Sequence, residues 1–118
     1  MPNTVPKVVE SYFTSGEIES RFSEVEGKKV GIGRRWYRSG QIFSETEFQN
    51  GRPHGQIREW SETGVLLLDA IISNGEFNGS YRSWWDDGVP KEEGIFVNGV
   101  RQPGYRWFKE DGSLWKEL

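Results

Sequence analysis

Glycine recurs along this chain at a fixed interval, and that interval restricts the fold more than any other feature. Gly16, Gly40, Gly64, Gly88 and Gly112 stand 24 residues apart, and so do Gly27, Gly51, Gly75 and Gly99. A third series, Gly31, Gly55 and Gly79, keeps the spacing until Pro103, where the glycine arrives one place late as Gly104. Self-similarity of this kind marks stacked structural repeats. Between glycines lie segments of about seven to nine residues rich in aromatic and β-branched types, which is strand length and strand chemistry. Ser15-Gly16, Ser39-Gly40, Thr63-Gly64, Asp87-Gly88 and Asp111-Gly112 place glycine after a small polar residue, a turn signal. Asn50-Gly51, Asn74-Gly75 and Asn98-Gly99 are strong hairpin dipeptides.

Composition agrees. Fifteen glycines and one alanine, Ala70, disfavour helices, while six Trp, four Tyr and seven Phe supply an aromatic core that a disordered chain would lack. The expected fold is all-β: an elongated, twisted, antiparallel meander of about five 24-residue hairpin units in one sheet layer. It forms a single repeat domain over 1–118, with units at about 8–31, 32–55, 56–79, 80–104 and 105–118. Ten strands are expected, at about 7–14, 17–25, 31–38, 41–49, 56–61, 65–73, 80–86, 90–97, 104–109 and 113–117.

Several function classes fall away. Without cysteine, and with His54 as the one histidine, no zinc or thiolate site can be assembled, and no metal or cofactor is expected. A formal charge of −3 and a pI near 5.2 give no footprint for nucleic acid. The longest apolar run, Val65-Leu66-Leu67-Leu68, is far short of the roughly 20 residues of a membrane helix. Residues 1–7 lack a secretory leader pattern, so the expectation is a soluble, cytoplasmic protein that does not use a membrane. Nucleophilic catalysis needs a nucleophile held by a base. His54 belongs to a turn, and Glu45, Asp69, Glu93 and Glu117 recur with the repeat, so no enzyme is expected.

The phrase Asn50-Gly51-Arg52-Pro53-His54-Gly55, echoed by Asn74-Gly75-Glu76-Phe77-Asn78-Gly79, resembles the Asn-Gly-x-x-His-Gly element of MORN repeats. The longer unit, Gly55 to Trp60 and then Gly64, Leu66, Asp69 and Asn74-Gly75, is similar to the variant MORN repeat of bacterial proteins often labelled antitoxin components of toxin–antitoxin systems. The resemblance spans about residues 12–118 and implies a hairpin-repeat sheet. Through the label it implies a partner toxin or effector that the protein neutralises by occlusion. Glu26 departs from the pattern, standing where later units have Asn.

Two columns of the repeat propose two hairpin registers. Tyr12, Trp36, Trp60, Trp84 and Phe108 pair with Ile18, Ile42, Leu66, Pro90 and Leu114 if each turn has three residues and ends on a left-handed glycine. Arg34, Arg58, Arg82 and Arg106 pair with Glu45, Asp69, Glu93 and Glu117 if it has two, with the charges exchanged in the first unit as Glu10 and Arg21. The two registers differ by one residue and place side chains on opposite faces, so both cannot hold; aromatic packing, the stronger term, favours the first.

The aromatic column has two readings: the core of the sheet, or, with Trp85, Trp107 and Trp115, an exposed binding surface. The arginines are either a solvated row with acidic partners or a ligand clamp. The leading function is a protein-binding module, whose partner is a toxin or effector if the label is informative. The alternative is a glycan or lipid headgroup held by the aromatic face. At the carboxyl end, Trp115 and Leu118 on the last strand are expected to make that edge the site of self-association or docking.

Overall fold

Two kinds of turn alternate along the chain and set its geometry. In a computed structural model, which describes residues 5–118, Asn50, Asn74 and Asn98 have φ of 55°, 50° and 48°, each followed by a glycine that is also left-handed. This pair of positive φ values defines the tight two-residue turn whose twist matches that of the strands it joins. Glu26 takes the same conformation at φ 52° in the first unit. The second turn is longer: Tyr37 N–H donates to Gln41 O at 2.9 Å and Gly40 N–H to Tyr37 O at 3.0 Å. The same closure recurs between 13 and 17, 61 and 65, 85 and 89, and 109 and 113.

The strands so joined are β1 (Lys7–Tyr12), β2 (Ile18–Val25), β3 (Lys28–Trp36), β4 (Ile42–Gln49), β5 (Arg52–Trp60), β6 (Leu66–Ser73), β7 (Glu76–Trp84), β8 (Pro90–Val97), β9 (Val100–Arg101), β10 (Arg106–Phe108) and β11 (Leu114–Glu117). They form one antiparallel sheet in the order β1 to β8, then β10 and β11, with β9 pairing β8 beside the main path. The molecule measures 53 × 35 × 15 Å, one sheet thick, and no helix occurs among the described residues. The all-β meander expected from the glycine period is the fold.

Strand limits differ from expectation in one systematic way. β3, β5 and β7 begin at Lys28, Arg52 and Glu76, three or four residues earlier than expected, because the turn before each, Glu-Gly in the first unit and Asn-Gly in the next two, consumes only two residues. Gly31, Gly55 and Gly79 then lie inside the strands, where the register shifts, rather than at their start. In the last unit the same shift falls between Phe96↔Arg101 and Glu93↔Arg106, so the expected strand at 104–109 shortens to β10, and the unexpected β9 forms ahead of it.

The register conflict resolves in favour of both expectations, which corrects the view that one must exclude the other. Trp36 faces Ile42 while Arg34 faces Glu45, because the register moves by one residue between Arg35 and Trp36. Identical shifts allow Trp60↔Leu66 with Arg58↔Asp69, Trp84↔Pro90 with Arg82↔Glu93, and Phe108↔Leu114 with Arg106↔Glu117. A β-bulge supplies the extra residue on the second strand of each hairpin. The bulged positions are Glu19, Phe43, Leu67, Lys91 and Trp115.

The two faces divide the labour. Buried side chains, Ala70, Ile72, Phe96 and Tyr105, lie on one face together with the Phe22–Phe48 and Phe77–Tyr81–Phe96–Tyr105 ring contacts. Here glycine makes room for rings: a Cβ at Gly94 would stand 2.9 Å from Tyr105 Cα, and one at Gly33 would enter the Phe22 ring. Strand alternation puts the aromatic column on the opposite face, two residues from each charge of the Arg row. The column is therefore not the core; Trp36, Trp60 and Trp84 are half-buried and Tyr12 is exposed.

Candidate binding surface

On the charged face, ten residues form a continuous row across the sheet: Glu10, Arg21, Arg34, Glu45, Arg58, Asp69, Arg82, Glu93, Arg106 and Glu117, each opposite the next. Ion pairs close along it: Arg21–Glu10 at 2.8 Å, Arg34–Glu45 at 3.1 Å, Arg58–Asp69 at 3.8 Å, Arg82–Asp69 at 3.2 Å and Arg106–Glu93 at 3.4 Å. Arg34, Arg58, Arg82 and Arg106 are thus each engaged with an acid of the sheet itself. Two arginines also cover column aromatics, Arg21 over Trp36 at 5.8 Å and Arg82 over Trp84 at 5.5 Å.

On the core face the bulges create something different. A bulge turns two successive side chains toward the same side, so Phe43 joins Ser44, Leu67 joins Leu68, Lys91 joins Glu92 and Trp115 joins Lys116 along one margin of the sheet. The result is a trough. One recess of about 430 Å³ is lined by Phe43, Glu59, Leu67, Leu68, Tyr81, Ser83, Trp85 and Lys91. A second, of about 410 Å³, is lined by Trp85, Lys91, Glu92, Trp107 and Trp115. Trp85, Lys91 and Glu92 form the shared wall, with Lys91 Nζ 4.6 Å from the Trp85 ring centroid.

Electrostatics within the trough are uneven. Glu92 accepts from the Tyr105 hydroxyl at 2.9 Å and lies 3.5 Å from Arg101 Nη2. Tyr105 is fully buried, and burial pushes its phenol well above its usual value. Arg101 stacks over Phe96, Tyr105 and Trp107 at 5.3, 5.1 and 5.5 Å, capping that cluster. Glu59 has no such support: burial alone pushes its carboxyl up, and it makes no ion pair or hydrogen bond through its side chain with a described residue. Burial first, then the Glu92 carboxylate, holds the Tyr81 phenol above its usual range. The Ser83 hydroxyl beside it works the other way, at a contact outside hydrogen-bond geometry. Ser83 Oγ and Trp85 Nε1 are buried without a hydrogen-bond partner.

The candidate binding residues therefore separate. Trp36, Trp60 and Trp84 belong to the charged face with the four arginines, although Trp84 also borders the first recess; Trp85, Trp107 and Trp115 lie together in the trough. Phe43, Leu67, Lys91 and Glu59 were not among the residues expected from sequence. For Phe43, Leu67 and Lys91 the signal was the one-residue mismatch between the two registers, which is itself the trace of a bulge; Glu59, regularly paired with Ser44 and Leu68, had no such signal.

The family described as MORN repeat variant matches this chain at residues 29–50 and again at 77–98. The two windows start 48 residues apart, two repeat lengths, and each runs from just after a two-residue turn to the Asn of the next. No curated protein matches the chain. The chain thus carries two stretches similar to that repeat, set in a sheet that repeats the same hairpin throughout.

Proposed function

We propose that this chain is a non-catalytic repeat module that binds another protein through the trough, and that it acts by covering its partner, as an antitoxin or immunity-type protein covers a toxin. The observation that carries the reading is the convergence of Trp85, Trp107 and Trp115 on two adjoining recesses. Trp is among the residues most enriched where binding energy concentrates, and recesses that bury a partner's side chains are where it does so. Trp115, 64% exposed, and Leu118, 50% exposed, continue the apolar surface to β11 and the residue after it, at one of the two edges of the described sheet, and an edge strand is a place where a partner can pair.

The test is affinity capture from the cells that make the protein, comparing the native chain with Trp107→Ala and Trp115→Ser. A protein retained by the native chain and lost from both variants, and whose activity falls when the two are co-expressed, supports the reading. A retained protein whose activity is untouched on co-expression removes the neutralising role. Saturable Trp fluorescence changes with soluble oligosaccharides, and no protein that depends on Trp107, would move the reading to glycan.

A further inference from the structure

Five carboxylates of the sheet are matched by arginine. Glu10, Glu45, Asp69, Glu92 and Glu93 each have a guanidinium within 3.8 Å. Glu59 does not, although it stands in mid-sheet, half-buried, in the row Arg35, Ser44, Glu59, Leu68, Ser83. Removing a carboxylate from water without a counter-charge is costly, and such groups collect at sites that do something. The recess it lines holds rings, with Asp86, Lys91 and Glu92 as its other charged side chains. Phe43, Tyr81 and Trp85 line the same recess, and Tyr37 buttresses Phe43 edge-on at 5.1 Å. Trp85 already carries one ammonium, that of Lys91. Ser83, 6% exposed, contributes a hydroxyl oxygen with no partner, free to accept from an N–H.

We propose that the recess between Phe43 and Trp85 is a cage for an alkylammonium group, the chemistry at the end of a lysine side chain. Glu59 supplies the counter-charge, Ser83 Oγ an acceptor, and Phe43, Tyr81 and Trp85 the ring faces. Rings attract cations through their negative faces, and the attraction grows when water is excluded. The uncovered Glu59 is the vacancy that a matched charge would fill. The inference rests on the docking reading, in that a partner's lysine is the source of the ammonium group.

The probe is hexylammonium chloride, with 1-hexanol and sodium hexanoate as uncharged and anionic controls at equal ionic strength. The readout is the Trp85 indole N–H resonance, assigned by its loss in Trp85→Phe. Saturable movement with hexylammonium alone is expected, weakened at least tenfold in Glu59→Gln and weakened again in Phe43→Leu, which keeps the apolar volume but removes a ring. Both variants are checked for an unchanged circular dichroism spectrum. If hexanol moves the resonance as strongly, or if Glu59→Gln binds hexylammonium unchanged, the cage is overturned. Because Trp107→Ala tests partner capture in the neighbouring recess, the cage can fail while the docking reading stands, and the reverse.

Discussion

Arg21 and Arg34 stand opposite one another across β2 and β3, the one like-charged step in a row of ten otherwise alternating charges. The step arises because the first unit carries Glu10 and Arg21 where every later unit carries Arg and then an acid. Like charges directly opposite in a sheet are destabilising, by the same few tenths to about 1 kcal/mol that opposite charges gain. Exchanging the pair, Glu10→Arg with Arg21→Glu, makes the row alternate from end to end. The double variant should melt a few degrees higher at low salt, and the gain should shrink in 1 M NaCl, where exposed charges are screened.

The bulges predict a contrast between removing a side chain and removing a residue. Leu67→Gly keeps the bulge and loses half-buried packing, a cost of about 1–2 kcal/mol. Deleting Leu67 forces the Trp60–Leu66 and Arg58–Asp69 pairings into conflict, and one set of side chains must change faces. Urea unfolding should show the deletion costing at least about 1 kcal/mol more than the substitution.

Glu26 pays for a conformation that suits it poorly. At φ 52° it occupies a region that Asn tolerates better than a longer side chain does. Glu26→Asn should raise stability by about 0.5–1 kcal/mol, seen as a higher melting temperature with an unchanged spectrum.

Glu59 gives the protein a pH signature. Its folded-state carboxyl is held above the ordinary 4.5 by burial, so between the unfolded and folded values the folded chain binds more protons than the unfolded one. Stability contributed by this group therefore falls as pH rises through that window, and the charged form is a burden at pH 7. Glu59→Gln should be more thermostable than the native chain at neutral pH, with the difference shrinking as pH falls toward 4.5. Equal melting temperatures at pH 7 would contradict this.

Much of the fold was legible from Gly51, Gly75 and Gly99 and their preceding Asn residues, because a two-residue turn needing two left-handed conformations leaves few alternatives. What was not legible is which face each aromatic serves. Trp84 and Trp85 are neighbours in sequence and both border one recess, yet Trp84 also packs under Arg82 among the charges while Trp85 alone continues into the second recess. The bulges were hidden for a related reason: alternation assumes a regular strand, and one inserted residue reverses the assignment of everything beyond it. Tyr105, the most deeply buried side chain, keeps the period, 24 residues after Tyr81 and 48 after Ile57, but Gly33 at the head of that column hides its core role.

The bulged residues have a standing unlike that of any other position in the unit. Turn glycines, ladder charges and paired aromatics are each tied to a partner, so changing one disturbs the frame. Glu19, Phe43, Leu67, Lys91 and Trp115 answer to no cross-strand partner, and accordingly they are an acid, a ring, an aliphatic chain, a base and an indole. They read as the interchangeable letters of the scaffold, one per hairpin and evenly spaced, so that a new surface can be spelled by substitution while the page on which it is written stays the same.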